Sequence, residues 1–100
     1  MLSKAKRLGN REVREVLKSG KLLRLKNLVV KYSSAPKGKA AVVVSKKVAH
    51  SAVERNRIRR GVYRVLSHTL PQQFHIVFLI QKNIPDYESD IQTACSKLSS

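Results

Sequence analysis

Negative charge is what this 100-residue chain has least of, with 6 Asp and Glu against 21 Lys and Arg. Cysteine is nearly absent as well. A single one excludes an internal disulfide, and Cys95 has no second thiol or clustered histidine with which to bind zinc. There is no tryptophan, and two Phe and three Tyr are too few for the stacking sheet of an RNA-recognition motif. No apolar run nears the roughly 18 residues of a membrane-spanning helix. Residues 1–11 are basic but lack the apolar stretch of a secretory signal, so the expected location is the cytoplasm and no membrane is an expected partner. With no low-complexity tract, internal repeat or long linker, one domain over residues 1–100 is expected.

What is present narrows the reading further. Hydrophobic residues make up 42% of the chain, enough for a modest core and too many for a disordered basic tail. The net charge of +15 would destabilise a compact state by self-repulsion, so a polyanionic partner is expected. The charge is also uneven. Residues 1–64 carry 19 basic and 3 acidic side chains, a net +16, whereas residues 65–100 carry a net −1. The interaction surface therefore belongs to the first two thirds, and the last third reads as scaffold.

Periodicity predicts the elements. Val13, Val16 and Leu17 fit a short helix capped by Asn10 and stopped at Gly20. Residues 22–25 fit a short strand. The Val-rich segments 28–32 and 40–45, joined by a turn-forming loop, fit a hairpin. A second helix is expected over 52–70, ending before Pro71. Residues 74–81 form an unbroken apolar, β-prone run that fits a buried strand. Beyond Pro85, the spacing of Tyr87, Ile91, Ala94, Cys95 and Leu98 is helical. The class is α+β in the order α-β-β-β-α-β-α, expected as a small two-layer sandwich with a central sheet.

Candidate chemistry concentrates on the second helix. On a helical wheel Ile58, Val62, Val65 and Leu66 fall on one side, and Asn56, Arg57, Arg60 and Arg64 project from the other. Arg59 lies at the edge of the apolar stripe. Lys46 and Lys47 precede the helix, so seven cations between residues 46 and 64 face one acid, Glu54. Solvated helix faces alternate in sign, with Glu paired to Lys or Arg. This one does not, and guanidinium groups suit bidentate phosphate contact and base stacking. Asn56 adds a neutral donor and acceptor for a base edge or 2′-hydroxyl. Zinc-finger spacing and zipper heptads are missing, and a hairpin rather than a helix is expected before the basic helix, which disfavours helix-turn-helix DNA readers. Structured RNA is the favoured partner, with ribosomal RNA an alternative target. His50, His68 and His75 are scattered, Cys95 sits in an apolar row, and Asp86, Glu88 and Asp90 suit a helix N-terminus. No carboxylate pair for acid–base catalysis is evident.

The stretch from Val44 through Ser45-Lys46-Lys47 to Arg55-Asn56-Arg57-Ile58-Arg59-Arg60 resembles the signature of the bacterial ribonuclease P protein family. The likeness extends to Arg7-Leu8 and to the helix containing Val13, Val16, Leu17 and Gly20. It implies the small basic subunit of a ribonucleoprotein that removes the 5′ leader from precursor tRNA. By the same resemblance the catalytic Mg²⁺ is held by the RNA subunit, no cofactor is bound by the protein alone, and no obligate protein partner is evident. Lys46, Lys47, Arg55, Asn56, Arg57, Arg60 and Arg64 would meet the catalytic RNA. A leader cleft would involve Val13, Leu17, Lys31, Tyr32 and Arg59. The resemblance also implies a left-handed β-α-β crossover, against the usual right-handed rule. Val13 and Leu17 stand where the family usually has phenylalanine, and Lys31 where a tyrosine is common. Gly61 within the helix either admits close RNA approach or has no role.

Overall fold

The computed structural model describes residues 6–82 and 87–99. Pro85 and Asp86, expected just before the last helix, lie outside the described residues. The elements are α1 (Asn10–Ser19), β1 (Lys21–Arg24), β2 (Leu28–Ser34), β3 (Lys39–Val44), α2 (Ala52–Thr69), β4 (Phe74–Ile80) and α3 (Glu88–Ser99). Among the described residues no helix is long and apolar enough to cross a membrane.

The expected hairpin between β2 and β3 does not form. The four strands run in the order β1-β2-β4-β3, so β4 enters between the two. It pairs antiparallel with β2 and parallel with β3. The physical reason lies in β4 itself, where the consecutive residues Ile76, Val77 and Phe78 are all fully buried. A strand apolar on both faces belongs at the centre of a sheet rather than at its edge. The hairpin in this fold joins β1 to β2, its turn closed by the Leu25 amide donating to the Leu28 carbonyl (2.9 Å).

Helices cover both faces, so the sheet is the middle of three layers rather than one of two. Leu28, Val30, Ala40, Val42, Val44, Ile76, Phe78 and Ile80 share one face with Ile58, Val62 and Leu66 of α2 and Ile91, Ala94 and Cys95 of α3. Alternation along the strands sends Ala41 and Val77 to the other face, where Val16 of α1 buries against them. Cys95 is core, as its apolar row implied. Asp90 sits in the first turn of α3, and its Oδ2 also accepts from the amide and side chain of Asn27 (3.2 and 3.1 Å), tying the β1–β2 turn to that helix.

Caps differ in detail from expectation. Gly9, not Asn10, precedes α1, and Glu12 Oε1 accepts from the Gly9 amide (3.1 Å). Gly20 ends the helix as expected. Ser51 caps α2 by accepting from the Glu54 amide (3.1 Å), and the helix stops at Leu70 before Pro71.

Candidate nucleic-acid interface

The amphipathic pattern of α2 determines where its charges go. Ile58, Val62 and Leu66 are buried, which leaves Asn56, Arg57, Arg60 and Arg64 on the exposed side. No ion pair among the described residues involves any of these arginines. Lys46 and Lys47 are exposed in the turn that ends β3, held by the Val48 and Ala49 amides donating to the Ser45 carbonyl (3.1 and 3.2 Å). Arg55 has a different setting. Its Nη1 donates to the Ala49 and His50 carbonyls (3.1 and 3.0 Å), which fixes the turn against the start of α2. That bond network presents Lys46 and Lys47 on the same edge of the molecule as the helix N-terminus.

The five expected cleft residues are not brought to one place. Val13, Leu17 and Lys31 do converge on the α1 face. Lys31 Nζ donates to the Leu17 carbonyl (2.8 Å), so the lysine closes the last turn of α1. Tyr32, next along the strand, points to the opposite face and packs edge-on against Phe74, with ring centroids 5.9 Å apart. Arg59 belongs to α2, across the sheet from α1, and its Nη1 donates to Asn56 Oδ1 (2.9 Å).

Helix α1 leaves part of its own sheet face open. Its N-terminal end sits over the starts of β3 and β4, where Glu12 Oε2 lies 3.4 Å from Lys39 Nζ and 3.9 Å from His75 Nε2. The Gly9 amide bond first, and then Lys39, hold the Glu12 carboxyl below its ordinary value of 4.5 against the opposing effect of burial. His75 is thus placed beside the Glu12 carboxylate, whereas the sequence suggested only a scattered histidine. Toward the other end of the strands Val43 is 37% exposed, and it lines a groove of about 230 Å³ with Leu79, Val48 and Lys47. The open apolar strip therefore runs beside α1 and ends at a cation.

A second groove, of about 450 Å³, lies along α2 and is lined by Arg7, Val53, Asn56, Arg59, Arg60 and Tyr63. Arg7 arrives there through the chain segment before α1. It bridges to Ala40 at the outer edge of β3, and the following Leu8 amide donates to the Ala40 carbonyl (2.9 Å). Neighbouring residues of an extended segment face opposite ways, so Leu8 packs under α1 and Arg7 turns to α2. Sequence reasoning missed Arg7, Val53 and Tyr63 as site residues. No local signal marks them, because the groove forms only when the segment before α1 bridges to the edge of β3.

The sequence profile of the Ribonuclease P family matches residues 2–99. Among solved structures the chain is similar to the RNase P protein of Thermotoga maritima, with 26% identity and a TM-score of 0.68 over 92% of this chain and 90% of that one. It shares its fold with the RNase P protein of Staphylococcus aureus, at 22% identity and a TM-score of 0.73 over 94% and 92%. A mutant of the Staphylococcus protein with defective mRNA degradation activity superposes with a TM-score of 0.75 at 21% identity, over 94% of this chain and 85% of that one. No curated protein sequence matches the chain. The seven elements, the unopposed arginine face of α2 and a profile match over nearly every residue agree: the chain belongs to the ribonuclease P protein family, RNA-binding subunits of a tRNA-processing endoribonuclease that work with the ribonuclease P RNA.

Proposed function

We propose that the outer face of α2 and the preceding turn dock on the ribonuclease P RNA, and that the open strip beside α1 receives the 5′ leader of precursor tRNA. The observation that carries the first half is the exposed set Arg57, Arg60 and Arg64, with no acid paired to it among the described residues. Such a face repels itself until phosphates neutralise it. Lys46, Lys47 and Asn56 extend the same surface, and Arg55 acts by holding its shape as well as by charge. The second half rests on Val13, Leu17 and Lys31 flanking exposed apolar sheet surface. Aliphatic side chains there give the leader a shallow apolar seat in place of aromatic stacking, which contributes about 1–3 kcal/mol per base where it exists. Lys31 and Lys47 then supply the phosphate contacts.

Mg²⁺ chemistry in this reading belongs to the RNA. Among the described residues no three His, Cys, Asp or Glu side chains come together to hold an ion. The chain's own part is to neutralise phosphates and to hold the leader in place, and the assembly works in the cytoplasm.

The test is reconstitution. Cleavage of precursor tRNA at low Mg²⁺ is expected to need both this chain and a ribonuclease P RNA. Contact with about five phosphates gives a log–log salt slope of roughly −3.5 to −4.5 for binding to that RNA. Replacing Arg57, Arg60 and Arg64 together by alanine is expected to flatten that slope. An unchanged slope and affinity would overturn the docking face. Leu17→Ala is expected to weaken long-leader precursors more than mature tRNA, and equal weakening would overturn the leader strip.

A further inference from the structure

The groove between the N-terminal segment and α2 has features that phosphate docking on a helix face does not require. Three arginines, Arg7, Arg59 and Arg60, line it with no acid. Two apolar groups share the same walls. Tyr63 is half-buried, and Val53 is 75% exposed, the most exposed large hydrophobic residue described. Arg7 Nε is buried without a hydrogen-bond partner, the one such side-chain atom among the described residues. A buried charged donor left unmet is costly, so a site that meets it on binding gains correspondingly. Asn56 completes the set. Its Oδ1 accepts from Arg59, which orients the amide and leaves Nδ2 as the donor that this groove-lining residue can offer.

Resting on the reading of α2 as RNA-facing, we propose that this groove holds a single unstacked nucleotide of the RNA. Its phosphate would be seated between Arg7 and Arg60, and its base between Tyr63 and Val53. The division follows from chemistry. Guanidinium groups match phosphate oxygens bidentately, and Arg7 Nε gains its missing acceptor there. An apolar wall with one aromatic ring suits the face of a base and does nothing for a bare anion. The Asn56 amide reads one acceptor on the base edge. The volume of about 450 Å³ lies in the range of small-ligand sites. An acidic peptide would answer the arginines but leave Tyr63 and Val53 without a matching group.

The experiment titrates the isotope-labelled full chain with adenosine 5′-monophosphate and follows backbone amides by NMR. Inorganic phosphate, adenosine and a tetraglutamate peptide are run as separate arms. The nucleotide is expected to give saturable shifts centred on Arg7, Val53, Asn56 and Tyr63, and phosphate or adenosine alone to need roughly tenfold more ligand. Arg7→Gln is expected to abolish saturation and Tyr63→Phe to retain it. Asn56→Ala, at an exposed position that leaves the core intact, is expected to weaken it severalfold. Lys26→Ala, on the distant β1–β2 turn, is the control and is expected to behave as the parent. Phosphate acting as strongly as the nucleotide, tetraglutamate acting more strongly, or shifts spread evenly over α2 would each overturn the proposal. Binding to the ribonuclease P RNA separates the two readings. If substitution of Arg57 and Arg64, which do not line the groove, weakens docking while Arg7→Gln leaves it intact, the nucleotide seat fails and the docking face stands. If none of them weakens docking, the docking face fails.

Discussion

Gly61 sits among the arginines of α2, one turn from Arg57 and from Arg64, in the interior of an 18-residue helix. Glycine there is unfavourable by about 1 kcal/mol relative to alanine, because the unfolded chain loses more backbone freedom. Whether alanine recovers that amount depends on what its Cβ would meet, and at Gly61 nothing lies within 4 Å. The position is exposed and needs no positive φ. Gly61→Ala is therefore expected to stabilise the free protein by about 1 kcal/mol, which for a domain of this size raises Tm by about 4–8 °C. Thermal unfolding followed by circular dichroism at moderate salt measures it. An unchanged or lower Tm would refute the reasoning, because it would mean that the free fold needs the glycine. The same variant bears on RNA docking. A fall of more than about threefold in RNA affinity in a better-folded protein would assign the missing side chain to close backbone approach. Equal affinity would leave the glycine without a role in docking.

Other substitutions probe the scaffold around the site. Lys31→Met keeps the aliphatic stem but removes the charged donor to the Leu17 carbonyl. A loss of about 1 kcal/mol in urea unfolding is expected at this half-buried bond, and no loss would show that the lysine does not close α1. Gly20→Ala would bring a Cβ to 2.5 Å from the Val16 carbonyl and 2.9 Å from that of Tyr32. Because both obstacles are main chain, a loss of about 1–3 kcal/mol is expected, and an unchanged Tm would contradict the close approach of α1 to β2. The Glu12 carboxyl, depressed chiefly by the Gly9 amide, contributes stability that is present above its ordinary 4.5 and lost as pH falls through its lower folded value. Glu12→Gln is expected to lower stability at neutral pH and to narrow its difference from the parent in the acid limb. Parallel stability–pH curves would count against the Gly9 amide bond, and then Lys39, as the groups that depress Glu12.

The helices were legible in the sequence because their stops are local. Gly20 and Pro71 end α1 and α2 where the apolar rows run out. Strand partners were not legible in the same way, since the valine-rich segments around the 33–39 loop satisfy every local rule for a hairpin. Only the non-alternating run Ile76-Val77-Phe78 carried the information that a third strand would take the place between them. The α2 cationic face followed from the wheel, because four exposed residues and three buried ones on one helix need no tertiary knowledge. The cleft set did not, because it joined Tyr32 and Arg59 to residues on the far side of the sheet. Side-chain parity along β2 already separates Tyr32 from Lys31, but the side of the sheet that α2 covers depends on the crossover. Arg7 depends on long-range structure altogether, since its groove forms from residues about fifty positions apart.

The central place of β4 has a consequence for how the chain comes to be folded. Strands β2 and β3 do not pair with each other, and both are completed only by residues 74–80. During synthesis, the whole strongly basic part of the polypeptide leaves the ribosome before the strand that unites it. A chain stopped at Gln73 holds all the arginines and no finished sheet, so it is expected to bind polyanions indiscriminately and without a defined shape. The nearly neutral last third thus acts as a late-arriving wedge that turns a sticky polycation into a selective surface.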